Sequence, residues 1–279
     1  MRIELLASLA LTCGLLAGCV PAPSQGAPYD RYYGTPQWYA DLQREQEAAR
    51  EALAREGYLG GEPPTIKGHE GTANRSGSGF FVVSGVVLTN NHVVSGCSKI
   101  VVYYGHNGIN GSVIAKDDAN DLALVETTIR HTAVATLRSE SSARAGEPIV
   151  VVGFPLRGLL SSSATVSQGV VSNVAGIGDD TRILQISAPV QPGSSGGPVL
   201  DQSGRVLGIT VSKLNALTVA QKVGSLPENV NFAIKSEVLL IFLKSNGIAA
   251  RLTAVTRRLG SADVADEALR YTVALECWS

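Results

Sequence analysis

Gln191-Pro192-Gly193-Ser194-Ser195-Gly196-Gly197-Pro198 is the stretch on which the reading of this chain turns. Two glycines and a proline directly follow Ser195, so that serine belongs to a turn rather than to the interior of a helix or strand. The segments on either side, 183–186 and 206–211, are short and rich in β-branched residues. Further runs of the same kind recur upstream at 80–83, 86–89, 99–103, 122–126 and 149–153, separated by Gly, Ser and Asn turns. No helical period alternates with them to suggest a parallel sheet. Strands this short and this frequent indicate an all-β barrel or sandwich.

Composition narrows the function classes. Of the 279 residues, 44% are hydrophobic and 17% charged, which is far from the profile of a disordered chain. Lys and Arg number 23 against 24 Asp and Glu, so overall charge gives no reason to propose nucleic acid as a partner. Gly is abundant (30) and aromatic residues are scarce (5%), as in a turn-rich β protein. The four Cys form no CxxC pair, and the acidic doublets Asp117-Asp118 and Asp179-Asp180 lie in no calcium-loop pattern. His69, His106 and His131 stand in polar surroundings and read as solvated loop residues. No metal and no cofactor is expected.

Two further segments join the Ser195 turn. Leu88-Thr89-Asn90-Asn91-His92-Val93-Val94 is an apolar strand running into a single histidine, and Asn120-Asp121-Leu122-Ala123-Leu124-Val125 places one carboxylate before a buried-type strand. A serine hydroxyl is a weak nucleophile and needs a neutral imidazole to take its proton. The imidazole needs a carboxylate to fix its tautomer and stabilise the imidazolium. A developing oxyanion needs preorganised N–H donors, which glycine-flanked backbone supplies; Gly193 and Ser195 are the expected pair. His92, Asp121 and Ser195 occur in one of the known chain orders of such a triad.

These motifs resemble those of the trypsin-like serine peptidases, and in particular the bacterial HtrA (Deg) branch. Residues 89–94 are similar to its T-x-x-H-V-V, residues 117–123 to its D-x-x-x-D-L/I-A, and residues 192–198 to its P-G-N-S-G-G-P, with Ser194 in the place of Asn. Supporting similarities lie at 153–156, 167–172 and 231–234, so the resemblance covers about residues 76–247. It implies two six-stranded antiparallel β-barrels, the first about 76–140 and the second about 145–235, with His92 and Asp121 from the first and Ser195 from the second. It also implies a primary-specificity pocket floored by Pro189 and walled by Ile209, Thr210 and Val211, which holds no acid to pair a basic side chain. Polypeptide is the implied substrate. The alternative is a silent relative that keeps the peptidase fold as a binding or scaffold module.

Outside that region the expectations are these. Residues 1–18 read as a secretory signal, too short to span a bilayer, and Leu16-Ala17-Gly18-Cys19 resembles the lipobox of bacterial lipoproteins. That implies lipidation of Cys19 and anchorage in the cell envelope, at the outer membrane if the source has one. Residues 19–75 form a tether with a helix at 36–56. Cys97 and Cys277 either pair or stay separate thiols; the sequence leaves both open. Residues 236–246 read as a helix capped by Ser236 and stopped at Gly247. Only 32 residues (279 minus 247) follow, too few for the branch's usual PDZ domain. In this C-terminal extension, 248–279, a helix at 261–269 and an alternating strand at 270–277 are expected to pack on the second barrel or cover an edge. Oligomeric state is not readable.

Overall fold

The structure, a computed structural model, describes residues 73–130, 133–139, 143–155, 157, 162–211, 229–254 and 257–279, together with Arg44. The chain divides into units Met1–Glu47 and Ala48–Ser279, and every element described below belongs to the second. The signal segment, Cys19, the tether up to residue 72, the helix at 36–56 apart from Arg44, and residues 156, 158–161 and 212–228 lie outside the described residues.

Six strands close the first barrel. They are β1 (Ala73–Val83), β2 (Val86–Thr89), β3 (Lys99–Tyr104), β4 (Asn107–Asp117), β5 (Leu122–Thr127) and β14 (Thr272–Trp278), in the ring order β1-β14-β3-β4-β5-β2. Alternation sends Phe80, Leu88, Val102, Leu124 and Leu275 inward, where all are fully buried. The short helix α1 (Asn91–Val94) follows β2 directly.

The second barrel is built from β7 (Pro148–Gly153), β8 (Thr165–Asn173), β9 (Ile183–Ile186), β10 (Pro198–Leu200), β11 (Val206–Val211) and β12 (Asn231–Lys235). Their order is β10-β7-β8-β9-β12-β11, and pairing of β10 with β11 closes the ring. Two parallel additions, β6 (Thr136–Arg138) and β13 (Arg251–Thr253), extend outward from β11. Ile149, Val151, Leu184, Ile186 and Leu207 fill this barrel. A larger apolar cluster runs between the barrels and under α2 (Ser236–Ser245) and α3 (Ser261–Leu269), through Ile209, Leu239, Phe242 and Val264.

The fold class matches expectation; the place of the chain's end does not. Residues 272–278 touch the second barrel, Ala274 packing with Phe154 just after β7, but they do more than pack there or cover an edge. They form the sixth strand of the first barrel, hydrogen-bonded to β1 on one side (Gly77 opposite Leu275) and to β3 on the other (Leu275 opposite Val102). A six-stranded ring needs both edges paired, and only this segment supplies the missing strand. The first barrel therefore extends beyond 76–140, and residues 272–278 belong to it rather than to an external extension. The expected helix at 261–269 is observed with those bounds.

Two smaller corrections concern local chemistry. The helix at 236 starts with Lys235 as its N-cap residue and has no side-chain cap; Ser236 is its first residue, buried. Its stop is as expected, because Gly247 takes φ +72° and the Ile248 N–H returns to the Leu243 carbonyl at 2.9 Å. The long strand β4 gives no apolar pattern, being mostly exposed along Asn107–Asp117. Its place comes from pairing on both sides, and at Gly111 a Cβ would meet Val125 at 2.5 Å.

The structure decides the cysteine question: Cys97 and Cys277 form a disulfide, with Cα atoms 5.3 Å apart and 180 positions between them in sequence. A link closing so long a loop restricts the unfolded chain strongly. Replacing both residues by Ala is expected to cost about 2–5 kcal/mol of unfolding free energy. Chemical denaturation of that double variant, beside the parent with and without reductant, checks this; an unchanged midpoint would show that the link contributes nothing.

Candidate active site

The turn at 117–121 sets the carboxylate. Asp117 accepts the N–H groups of Ala119 and Asn120 at 3.0 Å each and the Asn120 side-chain amide at 2.7 Å. Burial works against the Asp117 charge, but these donors outweigh it and hold the carboxyl below its usual range. The turn delivers Asp121 in the left-handed region, φ +53°, uncommon for a residue with a side chain. Its carbonyl is held by the Asn91 N–H (3.1 Å) and the Asn90 amide (3.0 Å).

Both carboxylate oxygens of Asp121 engage residue 92. Oδ1 accepts the His92 backbone N–H at 2.8 Å, and Oδ2 lies 2.6 Å from the ring Nδ1. Nδ1 is therefore the donor, and Nε2 is left to exchange a proton. The far end of α1 is tied by Arg75, whose guanidinium donates to the His92 carbonyl at 3.0 Å and to the Ser95 carbonyl, and contacts Cys277 Sγ at 3.5 Å. The imidazole is thus fixed by its carboxylate, and its helix by a cation and, three residues past Val94, by the disulfide at Cys97.

Ser195 comes from the turn between β9 and β10. Gly193 and Gly196 take φ +94° and +87° there, so the turn folds through conformations that only glycine adopts freely. Thr210 on β11 pins it from behind: its hydroxyl donates to Ser194 O at 2.6 Å and to Gly197 O at 3.1 Å, and Gly196 N donates to Thr210 O at 3.0 Å. Ser78 on β1 pins it from the first barrel. The Ser78 N–H donates to Ser195 O at 2.7 Å, and its hydroxyl donates to Gly193 O at 2.7 Å while accepting the Phe154 N–H at 2.8 Å. With the Gly193 carbonyl so held, the Gly193 N–H makes no hydrogen bond to any described residue. A Cβ on Gly196 would lie 2.0 Å from Ser78 O and 2.5 Å from Thr89 Oγ1, which shows how closely the turn abuts the strand leading to His92.

The structure thus joins His92 to Asp121 and seats the Ser195 turn against β1 and β2. The expected specificity residues are dispersed. Pro189 is exposed, its carbonyl accepting Ser167 Oγ at 2.9 Å; Ile209 is fully buried in the core between the barrels; Thr210 spends its hydroxyl on the turn. Val211 faces a cleft of about 410 Å³ beside His92, with Ile183, Ile234 and Arg182. Arg182 grips Asp180 at 2.7 Å and reaches across to Asn120 Oδ1 at 3.0 Å. It holds the Asp180 carboxyl below the usual range, while Asp180 raises its own.

Sequence reasoning missed Ser78, Arg75 and Arg182. Ser78 sits in a Ser-Gly alternation at 76–79 that reads as a loop, and Arg75 and Arg182 reach His92 and Asn120, 17 and 62 positions away.

Residues 77–209 match the trypsin-like peptidase domain, and the chain is similar to HtrA serine proteases. The chain is 39% identical over 253 residues to "Uncharacterized protein y4bJ" of Sinorhizobium fredii (strain NBRC 101917 / NGR234), covering 83% of this chain and 40% of that protein. It is 33% identical over 181 residues to "Serine protease Do-like HtrA" of Bacillus subtilis (strain 168), covering 60% of this chain and 38% of that one. Among solved structures, "HtrA-type protease AlgW with decapeptide" superposes with TM-score 0.51 at 26% identity, over 61% of this chain and 51% of that chain. The chain thus spans about two fifths of the length of these curated relatives.

Ser78→Ala leaves the Gly193 carbonyl and the Phe154 N–H without partners in a fully buried setting. The expected loss is about 1–3 kcal/mol for each orphaned group, read by denaturant titration. A loss below about 0.5 kcal/mol would show that the turn is held without it.

Proposed function

We propose that this chain is a serine endopeptidase that cleaves polypeptides through an acyl-enzyme. The observation that carries this reading is the double engagement of Asp121 with His92, through the backbone N–H and through Nδ1. In the reaction, His92 Nε2 takes the Ser195 hydroxyl proton as Oγ attacks the scissile carbonyl carbon. The Gly193 and Ser195 N–H groups receive the oxyanion. The imidazolium, steadied by Asp121, protonates the leaving amine, the C–N bond breaks, and water then releases the acyl group by the same base and donors. The serine-protease relatives support the activity, and the glycine-determined shape of the 193–197 turn supports the donors.

The finer reading is an envelope enzyme, lipid-anchored through Cys19 and acting on exposed segments of envelope proteins in quality control. The lipobox-like Leu16–Cys19 stretch and the disulfide, which suits an oxidising compartment, support that setting. Residues 187–190 carry no carboxylate, so cleavage after small or medium apolar residues is favoured over Arg or Lys.

The test is labelling of the full chain, carrying Cys19→Ser and held in nonionic micelles, with a fluorophosphonate probe. The parent labels and Ser195→Ala does not. Asp121→Asn, which fixes the wrong tautomer, slows labelling by up to ~10⁴-fold. If the parent does not label even with peptides present, Ser195 is not activated, and a binding module on a peptidase fold becomes the better reading. Cleavage-site profiling dominated by Arg or Lys would overturn the specificity reading alone.

A further inference from the structure

Charge on this chain is balanced overall, 23 basic against 24 acidic side chains, yet arginine is concentrated in one place away from the His92 cleft. Two adjoining cavities, about 410 and 810 Å³, open where β6, β13 and the start of β14 meet the turn at 201–205, and they share Ser203, Arg205 and Arg257. Neither has a lining residue in common with the cleft beside His92. The first is lined by Arg205, Arg251, Arg257 and Arg270; the second adds Arg138, Arg144 and Arg258. That is seven of the chain's 16 arginines, with no lysine among the lining residues.

The acids present are already committed. Asp201 pairs with Arg205 at 2.7 Å and stands 3.7 Å from Arg138, Glu147 pairs with Arg138 at 2.6 Å, and Glu267 pairs with Arg257. Arg251 and Arg270 in the first cavity, and Arg144 and Arg258 in the second, make no side-chain ion pair with any described residue. Arg205 and Arg138 are 7% exposed, so the base of the site is a fixed, buried charge network rather than a fringe of mobile side chains.

Tyr271 supplies the second, independent observation. It lines the first cavity, is 6% exposed, and its buried hydroxyl has no hydrogen-bond partner among the described residues. Burial, with Glu267 and Asp201 nearby, pushes its phenol well above the usual range, so it remains an O–H donor. An orphaned buried hydroxyl is costly unless something in the cavity accepts from it. A donor hydroxyl beside unpaired guanidinium forks is complementary to a tetrahedral oxyanion, and forks rather than point-charge lysines suit phosphate geometry.

We infer that this arginine and tyrosine cavity is a binding site for a phosphate-bearing ligand. Arg251 and Arg270 take its charge, and the Tyr271 hydroxyl donates to one oxygen. Because Tyr271 directly precedes β14 and Arg251 starts β13, an occupant ties the barrel-closing strand to the outer strand of the second barrel. The inference does not rest on the peptidase reading and can fail or stand without it.

Calorimetric titration of the full chain (Cys19→Ser, in nonionic micelles) with sodium pyrophosphate at near-physiological salt tests this. Flotation with phosphatidylglycerol vesicles, against phosphatidylcholine vesicles, forms the second arm. Saturable one-to-one binding of pyrophosphate assigns a soluble phosphate ligand; selective capture by phosphatidylglycerol vesicles without pyrophosphate binding assigns a lipid headgroup. In either case Arg251→Gln with Arg270→Gln weakens binding about tenfold or more. Tyr271→Phe, which changes no charge, weakens it about threefold to tenfold. Absence of saturable binding in both arms overturns the inference, as does unchanged binding by Tyr271→Phe, which reports on the site even if the double arginine variant does not fold.

Discussion

Ser78 is the contact on which the geometry of this molecule depends. It is fully buried on β1, and through its N–H, hydroxyl and carbonyl it reaches Ser195, Gly193, Phe154 and Thr89. Each barrel closes through its own strands, so the placing of His92 on one against Ser195 on the other depends on contacts that cross between them. A short side chain that donates and accepts at once sets that relation with little rotamer freedom to lose. Gly196 is its counterpart: a turn that comes within 2.0 Å of a virtual Cβ has no room for another residue.

The first barrel is completed by the last strand of the described chain, and several ties converge there. β14 carries Cys277, bonded to Cys97, and Glu276, which accepts from the Tyr103 hydroxyl at 3.0 Å and from Arg157 at 3.3 Å. Burial and Glu276 push the Tyr103 phenol up to about 12, so it stays a donor. Arg157 also stacks over the Tyr103 ring at 4.1 Å. Because Arg75 spans the α1 carbonyls and the Cys277 sulfur, the C-terminal strand and the His92 helix are mechanically one assembly. Contacts of such separation in sequence form late and cost loop entropy, which the disulfide recovers by limiting the unfolded chain.

How much was legible beforehand follows the range of the forces involved. Strands at 86–89, 183–186 and 206–211 were read with their observed bounds, because burial on the pleat writes itself as local β-branched runs. His92, Asp121 and Ser195 stood out because their chemistry needs particular neighbours in sequence: a turn before the acid, glycines around the serine. β4 was not legible, since partners on both sides determine it and its own side chains face solvent.

Sequence by itself thus determined the fold class, the candidate triad and the turn that carries the serine, all consequences of local pattern and of what each side chain can do. Only the tertiary structure decided that Cys97 meets Cys277, that 272–278 closes the first barrel, and that Ser78 and Arg75 hold the two halves of the site. It alone gathered seven arginines and an unpartnered tyrosine hydroxyl from segments more than 100 positions apart. Each of these is a pairing between distant segments, and the free energy of a pairing depends on a partner that one-dimensional pattern does not name.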